Sequence, residues 1–232
     1  MAVVRVLEHL GHEIVFPERQ TCCGQPMYNN GYHEEARTLA LQMIDVFRDY
    51  STIVTPSGSC AAMIREYYPS LFEAGGEERR SAEDLGSRTH EFVEFLTRIE
   101  KVDLGALGVK WEGDVTYHYS CHLRGLGVGR ECVDLAQQID GLNYTVLDKI
   151  DQCCGFGGTF CLKYPTISGL MVQDKVECIR KTEAPTVICN DTGCAMNIAG
   201  ACRRHSVDVE LKSLAEIIAE GLGLMDRKEA VR

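Results

Sequence analysis

A Cys-Cys-Gly triplet occurs twice in this chain, and this repetition constrains the fold more than any other feature of the sequence. The triplet stands at residues 22–24 and again at residues 153–155. Each copy is followed by a helical pattern and then by a short strand pattern that ends near one further cysteine, Cys60 or Cys194. Because the triplet and the later cysteine recur together with nearly equal spacing, we interpret the chain as one unit used twice.

Alternating helical and strand patterns predict the fold class. In the first copy, apolar residues at helical spacing over 36–47 precede a β-branched run at 52–55. In the second copy, a helical pattern over 170–178 precedes the strand 185–189. This alternation predicts an α/β fold with mainly parallel sheets flanked by helices. The functional loops of such sheets follow the carboxyl ends of strands, where all the cysteine clusters of this chain stand.

The repeat predicts two similar domains, 1–108 and 109–232. The second copy opens with a strand at 114–120 that delivers Cys121, and it continues with a helix at 131–139 and a strand at 143–147. The first copy has no counterpart of the opening strand. We therefore expect the first domain to be incomplete at its N-terminus and to lack one ligand. The remaining assignments are a helix at 3–10, a strand at 14–16, a polar loop at 75–86, and closing helices at 89–96 and 212–218.

Composition excludes several classes of function. The formal charge of −10 argues against a general nucleic-acid binder and against binding to anionic membranes. No apolar run is long enough to span a bilayer, and the first residues do not have the pattern of a signal peptide. The sequence therefore predicts a cytoplasmic protein. In that compartment its twelve cysteines would be reduced, and several of them would be metal ligands.

The second copy carries a complete candidate metal site. Four cysteines stand at predicted strand ends, namely Cys121, Cys153, Cys154 and Cys194. Four convergent thiolates are the ligand set of a [4Fe–4S] cluster. Two adjacent cysteines can bind different irons of such a cluster more easily than they can both bind a single metal ion. The glycines Gly155, Gly157 and Gly158 would let the backbone approach the cluster. The first copy offers three cysteines beside Gly24, which are Cys22, Cys23 and Cys60.

Other interpretations of these residues stay open at this stage. Zinc would bind thiolates too, although the chain lacks the Cys-x-x-Cys knuckles of structural zinc sites. A disulfide between Cys153 and Cys154 would be strained. His118 and His122 flank Cys121 and could tune or replace a ligand, but we favour non-ligand histidines with satisfied hydrogen bonds. The remaining cysteines favour a packing role: Cys132, Cys161, Cys178, Cys189 and Cys202.

The two triplets lie within longer motifs that resemble those of the cysteine-rich CCG domain family. These motifs cover residues 21–26, 30–32, 153–160 and 191–196, and they are most similar to the lactate utilization protein A family. The cysteine-rich subunit of heterodisulfide reductase and the iron–sulfur subunit of glycolate oxidase are related members. The resemblance implies a pseudo-twofold pair of α/β domains with clusters at the CCG loops. It also implies a complex with lactate utilization proteins of the B and C types, which oxidises L-lactate to pyruvate.

One departure from the related reductase narrows the implied function. The cysteine-rich subunit of heterodisulfide reductase has an additional cysteine in each motif, where this chain has Ser57 and Asp191. The second site therefore retains four cysteines, which suit one [4Fe–4S] cluster. The first site has only three cysteines, so its ligand set for a second cluster is less complete. We expect an iron–sulfur electron-transfer subunit of an oxidoreductase. The alternatives are a catalytic subunit that reduces a disulfide and a structural subunit stabilised by zinc.

Overall fold

The computed structural model describes residues 1–227. Its six strands are β1 Ile53–Thr55, β2 Thr89–Glu91, β3 Lys110–Tyr117, β4 Asp140–Tyr144, β5 Thr186–Ile188 and β6 Glu210–Lys212. Its helices are α1 Ala2–His9, α2 Gln25–Tyr28, α3 His33–Val46, α4 Gly58–Ala62, α5 Glu77–Ser87, α6 Phe92–Glu94, α7 Cys121–Gly125, α8 Glu131–Ala136, α9 Phe160–Lys163, α10 Pro165–Thr182, α11 Thr192–Arg204 and α12 Leu214–Gly221. Single π-helical turns, Met63–Tyr67 and Phe95–Ile99, extend α4 and α6.

The chain forms two compact units, and each contains a parallel sheet flanked by helices. The smaller unit covers 15–92, and the larger one combines 1–14 with the chain from residue 93 onward. The predicted α/β class with mainly parallel sheets is therefore confirmed. The predicted domain boundaries, 1–108 and 109–232, follow the sequence repeat and stay a prediction. Within residues 1–227, every helix is too short or too polar to cross a membrane.

The larger unit contains a four-stranded sheet in the order β4-β3-β5-β6, and all three strand pairs are parallel. The long strand β3 lies between β4 and β5 and carries the buried side chains of Val115 and Tyr117. An apolar core joins β5, α10 and α11 through residues such as Val187, Ile179 and Ile198. This packing brings the carboxyl ends of three adjacent parallel strands to the same edge of the sheet.

Helix α1 lies in the larger unit, where it packs against α12 from the other end of the chain. Its buried residues Ala2, Val6 and Leu7 form an apolar stripe at helical spacing. The repeat correctly predicts this helix over 3–10, but it predicts packing beside the sheet of the first copy. The strand predicted at 14–16 does not form, and Phe16 is exposed there.

The smaller unit contains β1 and β2, which pair in parallel with Ile53 opposite Thr89. Its core is formed by α3, α5 and the turns after α4, with Ala40, Met63 and Leu85 buried. Helix α5 lies where the sequence predicts a polar loop, and that prediction is wrong. Its sequence is mostly charged, and the two apolar residues Ala82 and Leu85 are enough to anchor it to the core.

Strands β2 and β6 also differ from the prediction. The sequence predicts helices over 89–96 and 212–218, whereas residues 89–91 form β2, and residue 212 ends β6 before the helix begins at Leu214. Strand β4 ends before the predicted span 143–147 does. Strands this short hold too few residues to show the alternation that identifies a strand from sequence.

Candidate metal centre

The four cysteines predicted as ligands in the second copy come from three neighbouring strands of one sheet. Cys121 begins α7 four residues after β3 ends, and Cys194 lies in the first turn of α11, which follows β5. The pair Cys153 and Cys154 lies in the loop that connects β4 to α9. Since these strands are parallel neighbours, the loops after them converge at one edge of the sheet.

The four thiols form one contiguous chain of contacts. Cys121 is hydrogen-bonded to Cys153, which also contacts Cys154, and Cys154 in turn is hydrogen-bonded to Cys194. Hydrogen bonds from Cys121 and then from Cys154 lower the pKa of the Cys153 thiol. The same contacts, followed by burial, raise the pKa values of Cys121 and Cys154. Such close thiols cannot all ionise without a positive partner, which is the electrostatic environment that a bound metal supplies.

Gly155 fixes the shape of the loop that carries the paired cysteines. Its φ of +80° favours glycine, and a Cβ atom there would lie 2.8 Å from the carbonyl oxygen of Ser168. The Ser168 hydroxyl donates a hydrogen bond to the Gly155 carbonyl at 2.8 Å, and the Asn197 amide donates to the Cys154 carbonyl at 2.8 Å. The backbone N–H of Gly155 points at the sulfur of Cys153, 3.4 Å away. This loop is therefore held in place by both helices that flank it.

Asp191, which stands where the related reductase has an additional cysteine, has a structural role at the start of α11. It is the N-cap of α11, and its carboxylate accepts hydrogen bonds from the backbone N–H groups of Gly193 at 3.2 Å and Cys194 at 3.4 Å. Asx side chains stabilise helix N-termini in this way. Asp191 therefore orients the turn that presents Cys194 to the other thiols.

His118 is a fifth potential donor at this site, a role that the sequence did not favour for it. Its side chain is 1% exposed, and neither ring nitrogen has a hydrogen-bond partner among residues 1–227. A ring nitrogen of His118 and the sulfur atoms of Cys154 and Cys194 all lie within 4.8 Å of one another. Burial, and then the nearby charge of Lys175, lower the pKa of His118 to about 4. The expectation that this histidine is internally satisfied is wrong.

The spacing of His118 from Cys121 was the available signal for its position. His118 directly follows β3 and lies three residues before Cys121. The sequence already predicts that this strand leads to the site. Nothing in the sequence shows whether a histidine at such a strand end has a hydrogen-bond partner. The soft sulfur atoms and the imidazole of this group suit zinc or an iron–sulfur cluster.

The first copy brings its cysteines together less completely. The sulfur atoms of Cys23 and Cys60 are 3.6 Å apart, and exposed Cys22 is hydrogen-bonded to Cys23. The contact with Cys60, followed by burial, raises the pKa of the Cys23 thiol. The buried hydroxyl of Tyr68 donates to the Cys23 carbonyl at 2.9 Å. Gly24 has a φ of +84°, so the conformation of the second triplet is repeated here.

The other cysteines pack or bond within the protein. All twelve cysteines lie in the described part of the chain, and none forms a disulfide. Cys178 and Cys202 belong to the apolar core, and the sulfur of Cys132 accepts a hydrogen bond from Asn190 at 3.3 Å. The thiols of Cys161 and Cys189 donate to the backbone carbonyls of residues 158 and 191. The ligand roles of the seven clustered cysteines and the cofactor-binding roles of Gly24, Gly155, Gly157 and Gly158 stay predictions.

Comparison with known proteins agrees with the repeat. The family model described as "Cysteine-rich domain" (CCG) matches residues 1–65 and 115–199, one segment in each copy. Lactate utilization protein A 2 of Bacillus cereus (strain AH820) is 42% identical over 95% of this chain and 91% of its own length. Lactate utilization protein A of Anoxybacillus flavithermus (strain DSM 21510 / WK1) is 43% identical over 94% of this chain and 90% of its own length. The chain therefore belongs to the cysteine-rich CCG domain family and, within it, to the lactate utilization protein A family.

Proposed function

We propose that this protein is an iron–sulfur electron-transfer subunit of a multi-protein oxidoreductase that oxidises L-lactate to pyruvate. The observation that carries the proposal is the contiguous chain of four thiols formed by Cys121, Cys153, Cys154 and Cys194. The relatives named for lactate utilization support the choice of pathway. We place the protein in the cytoplasm, because thiols used as ligands must stay reduced.

The donor set at the second copy fits a [4Fe–4S] cluster. Four thiolates match its ligand count, and the adjacent pair Cys153–Cys154 serves a cluster better than a single tetrahedral ion. When bound, a cluster of this type supplies reversible one-electron transfer. The protein contributes the four ligands, the N–H of Gly155 directed at sulfur, and the Asp191 cap that orients Cys194. We propose a second cluster at Cys22, Cys23 and Cys60 only with a further, non-cysteine ligand.

The electron balance of lactate oxidation requires partners. Conversion of L-lactate to pyruvate releases two electrons and two protons, and a one-electron centre must pass these electrons singly from a donor to an acceptor. The sequence carries no G-x-G-x-x-G fingerprint for a dinucleotide cofactor. We therefore propose that lactate utilization proteins of the B and C types complete the enzyme, and that this chain does not oxidise lactate alone.

Anaerobic purification tests the cluster. We expect a brown protein with broad visible absorption and nearly equal amounts of iron and acid-labile sulfide. Cys154→Ser should lose most of the iron, whereas Cys178→Ala, a substitution in the adjacent apolar core, should retain it. A colourless protein that contains zinc would support the structural alternative and contradict the proposal. Iron that is lost in C178A but not in C154S would show that the ligands are misassigned.

The need for partners is tested separately. The purified chain, loaded with iron, is incubated with L-lactate and an artificial electron acceptor, and pyruvate is measured. We expect no pyruvate until the partner proteins are added. Pyruvate formed at the full rate by this chain alone would contradict the role as an electron-transfer subunit, even if the cluster is present.

A further inference from the structure

His118 occupies a position that no internal hydrogen bond explains. Its backbone N–H donates to the carbonyl of Ile188 on the neighbouring strand β5 at 2.9 Å, so the residue is fixed at the end of the sheet. Its side chain is buried, yet both ring nitrogens lack a partner in the part of the chain that the structure describes. Buried polar side chains are rarely left unsatisfied, and each exception requires an explanation. A partner supplied from outside the protein chain would provide one.

The imidazole lies beside the thiols of the candidate metal centre. A ring nitrogen of His118 is within 4.8 Å of the sulfur atoms of both Cys154 and Cys194. The buried cationic side chain near the site, Lys175, donates a hydrogen bond from its ammonium group to the carbonyl oxygen of Lys149 at 2.7 Å. An internal hydrogen bond therefore explains the position of the Lys175 ammonium group, whereas none within the described residues explains the position of the His118 ring.

Two roles for His118 can be distinguished by chemistry. The four cysteines already complete the coordination of a four-iron cluster, so an imidazole beside them is not needed as a ligand. A neutral imidazole carries one N–H donor, and N–H groups directed at cluster sulfur stabilise the reduced form, which has the more negative charge. Donors of this kind around a metal site tune its chemistry without binding the metal.

We propose that His118 donates its ring N–H to a sulfur atom of the metal centre and thereby raises the reduction potential of that centre. The sulfur is either a ligand thiolate or an inorganic sulfide. This inference rests on the proposed function, because it requires a cluster at Cys121, Cys153, Cys154 and Cys194. It adds a determinant of potential that lies outside the cysteine motif.

Reduction potentials of three variants test the proposal. Anaerobic redox titrations, followed by visible absorption and electron paramagnetic resonance, compare the wild-type protein with His118→Leu, His118→Gln and the control His122→Leu. We expect unchanged iron content in all of them. The potential should fall in H118L, fall less in H118Q because the amide retains an N–H donor, and stay at the wild-type value in H122L. Equal potentials in wild type and H118L would overturn the proposal.

Isotope labelling of the wild-type protein provides a measurement that needs no variant with an apolar residue in the core. Protein labelled with ¹⁵N-histidine is reduced, and the hyperfine coupling of nitrogen to the paramagnetic centre is recorded. We expect a weak coupling that disappears in H118Q and persists in H122L. A strong coupling of a directly bound nitrogen, or iron loss in H118Q as severe as in C154S, would make His118 a ligand and overturn the proposal.

The experiment separates failure of the inference from failure of the function. A wild-type protein without a cluster contradicts the proposed function, and the inference is overturned with it. If the loaded wild-type protein shows no coupling to histidine, and H118L has the same potential as the wild type, the inference alone is overturned. In that case the four-cysteine assignment stands.

Discussion

The two CCG copies share the conformation of the triplet but differ in what surrounds it. In both copies the glycine has a positive φ, at +84° for Gly24 and +80° for Gly155. In both, a side chain from a later helical segment donates to the carbonyl of the second cysteine: Tyr68 in the first copy and Asn197 in the second. The triplet therefore determines a local loop shape twice, with different residues stabilising it.

The difference lies in the side chains that reach each triplet from elsewhere in the sheet. In the second copy, β3 supplies Cys121 and His118 to the thiols of the triplet. The described sheet of the smaller unit has only the strands β1 and β2, and the first triplet is joined there by Cys60 alone. A completed site thus requires a neighbouring strand as well as the triplet. This contrast predicts that corresponding substitutions in the two copies have unequal effects.

The largest expected difference is in iron content. Replacing both Cys153 and Cys154 by serine should remove most of the bound iron, because it deletes two of four convergent thiolates. The matched variant with Cys22 and Cys23 replaced should lose at most the smaller share that an incomplete site retains. Iron and sulfide per chain are measured after anaerobic reconstitution. Equal losses in the two double variants would show that the copies bind clusters equally well, and the comparison would fail.

The glycines of the two triplets should differ in their effect on stability. Gly155→Ala places a Cβ atom 2.8 Å from the Ser168 carbonyl oxygen in a left-handed conformation, whereas the nearest atoms to a Cβ at Gly24 are 3.5 Å away. We expect a loss of about 3 kcal/mol in the free energy of unfolding for Gly155→Ala and about 1 kcal/mol for Gly24→Ala. Urea unfolding of the reduced, iron-free protein measures both. A larger loss for Gly24→Ala would contradict the expectation.

The side chains that hold the triplet carbonyls should also have unequal effects. Tyr68→Phe removes a hydroxyl that is fully buried and leaves the Cys23 carbonyl without that donor, for an expected loss of about 2 kcal/mol. Asn197 is only partly buried, so water can replace its amide in Asn197→Ala, and we expect a loss of about 1 kcal/mol. Thermal unfolding under reducing conditions compares the two variants. Similar losses would mean that both carbonyls are equally accessible to water.

The repeat allowed the site to be predicted better than the elements around it. The prediction that cysteines distant in sequence converge held for the second copy because adjacent parallel strands place their following loops at one edge. Helix α5 was not predicted, because only Ala82 and Leu85 anchor an otherwise charged segment through tertiary contacts. Strands β2 and β6 were not predicted, because three residues cannot show a period of two.

The place of α1 and the state of His118 depend on contacts that are remote in sequence. Helix α1 packs against α12, more than two hundred residues away, and its own apolar stripe does not specify that partner. His118 follows a predicted strand, but its lack of a hydrogen-bond partner within residues 1–227 is a property of the assembled sheet edge. Local patterns therefore predict the helix and the strand end, whereas the tertiary structure determines what α1 packs against and whether His118 has a hydrogen-bond partner.

The smallest expected difference concerns the residues that replace an additional cysteine in each motif. Asp191 and Ser57 are both N-caps, of α11 and α4. The carboxylate of Asp191 accepts two backbone hydrogen bonds, whereas the Ser57 hydroxyl bonds to the Ser59 hydroxyl at 3.0 Å and makes no capping bond within the described residues. Asp191→Ala should therefore lower the free energy of unfolding by about 1 kcal/mol, and Ser57→Ala by roughly half of that or less.

Asn at position 191 separates the capping role from a ligand role. An asparagine accepts the same two backbone hydrogen bonds but carries no negative charge, so Asp191→Asn should restore the stability lost in D191A and leave the iron content at the wild-type level. If Asp191 is instead a metal ligand, both D191A and D191N should release iron while their stability without iron differs. Unfolding of the iron-free variants and iron content of the reconstituted ones give these two quantities independently. Because Cys194 lies in the turn that Asp191 caps, loss of the cap should make the position of Cys194 less well defined. The first copy does not contain this cap, so its cysteines should be unaffected and serve as the reference.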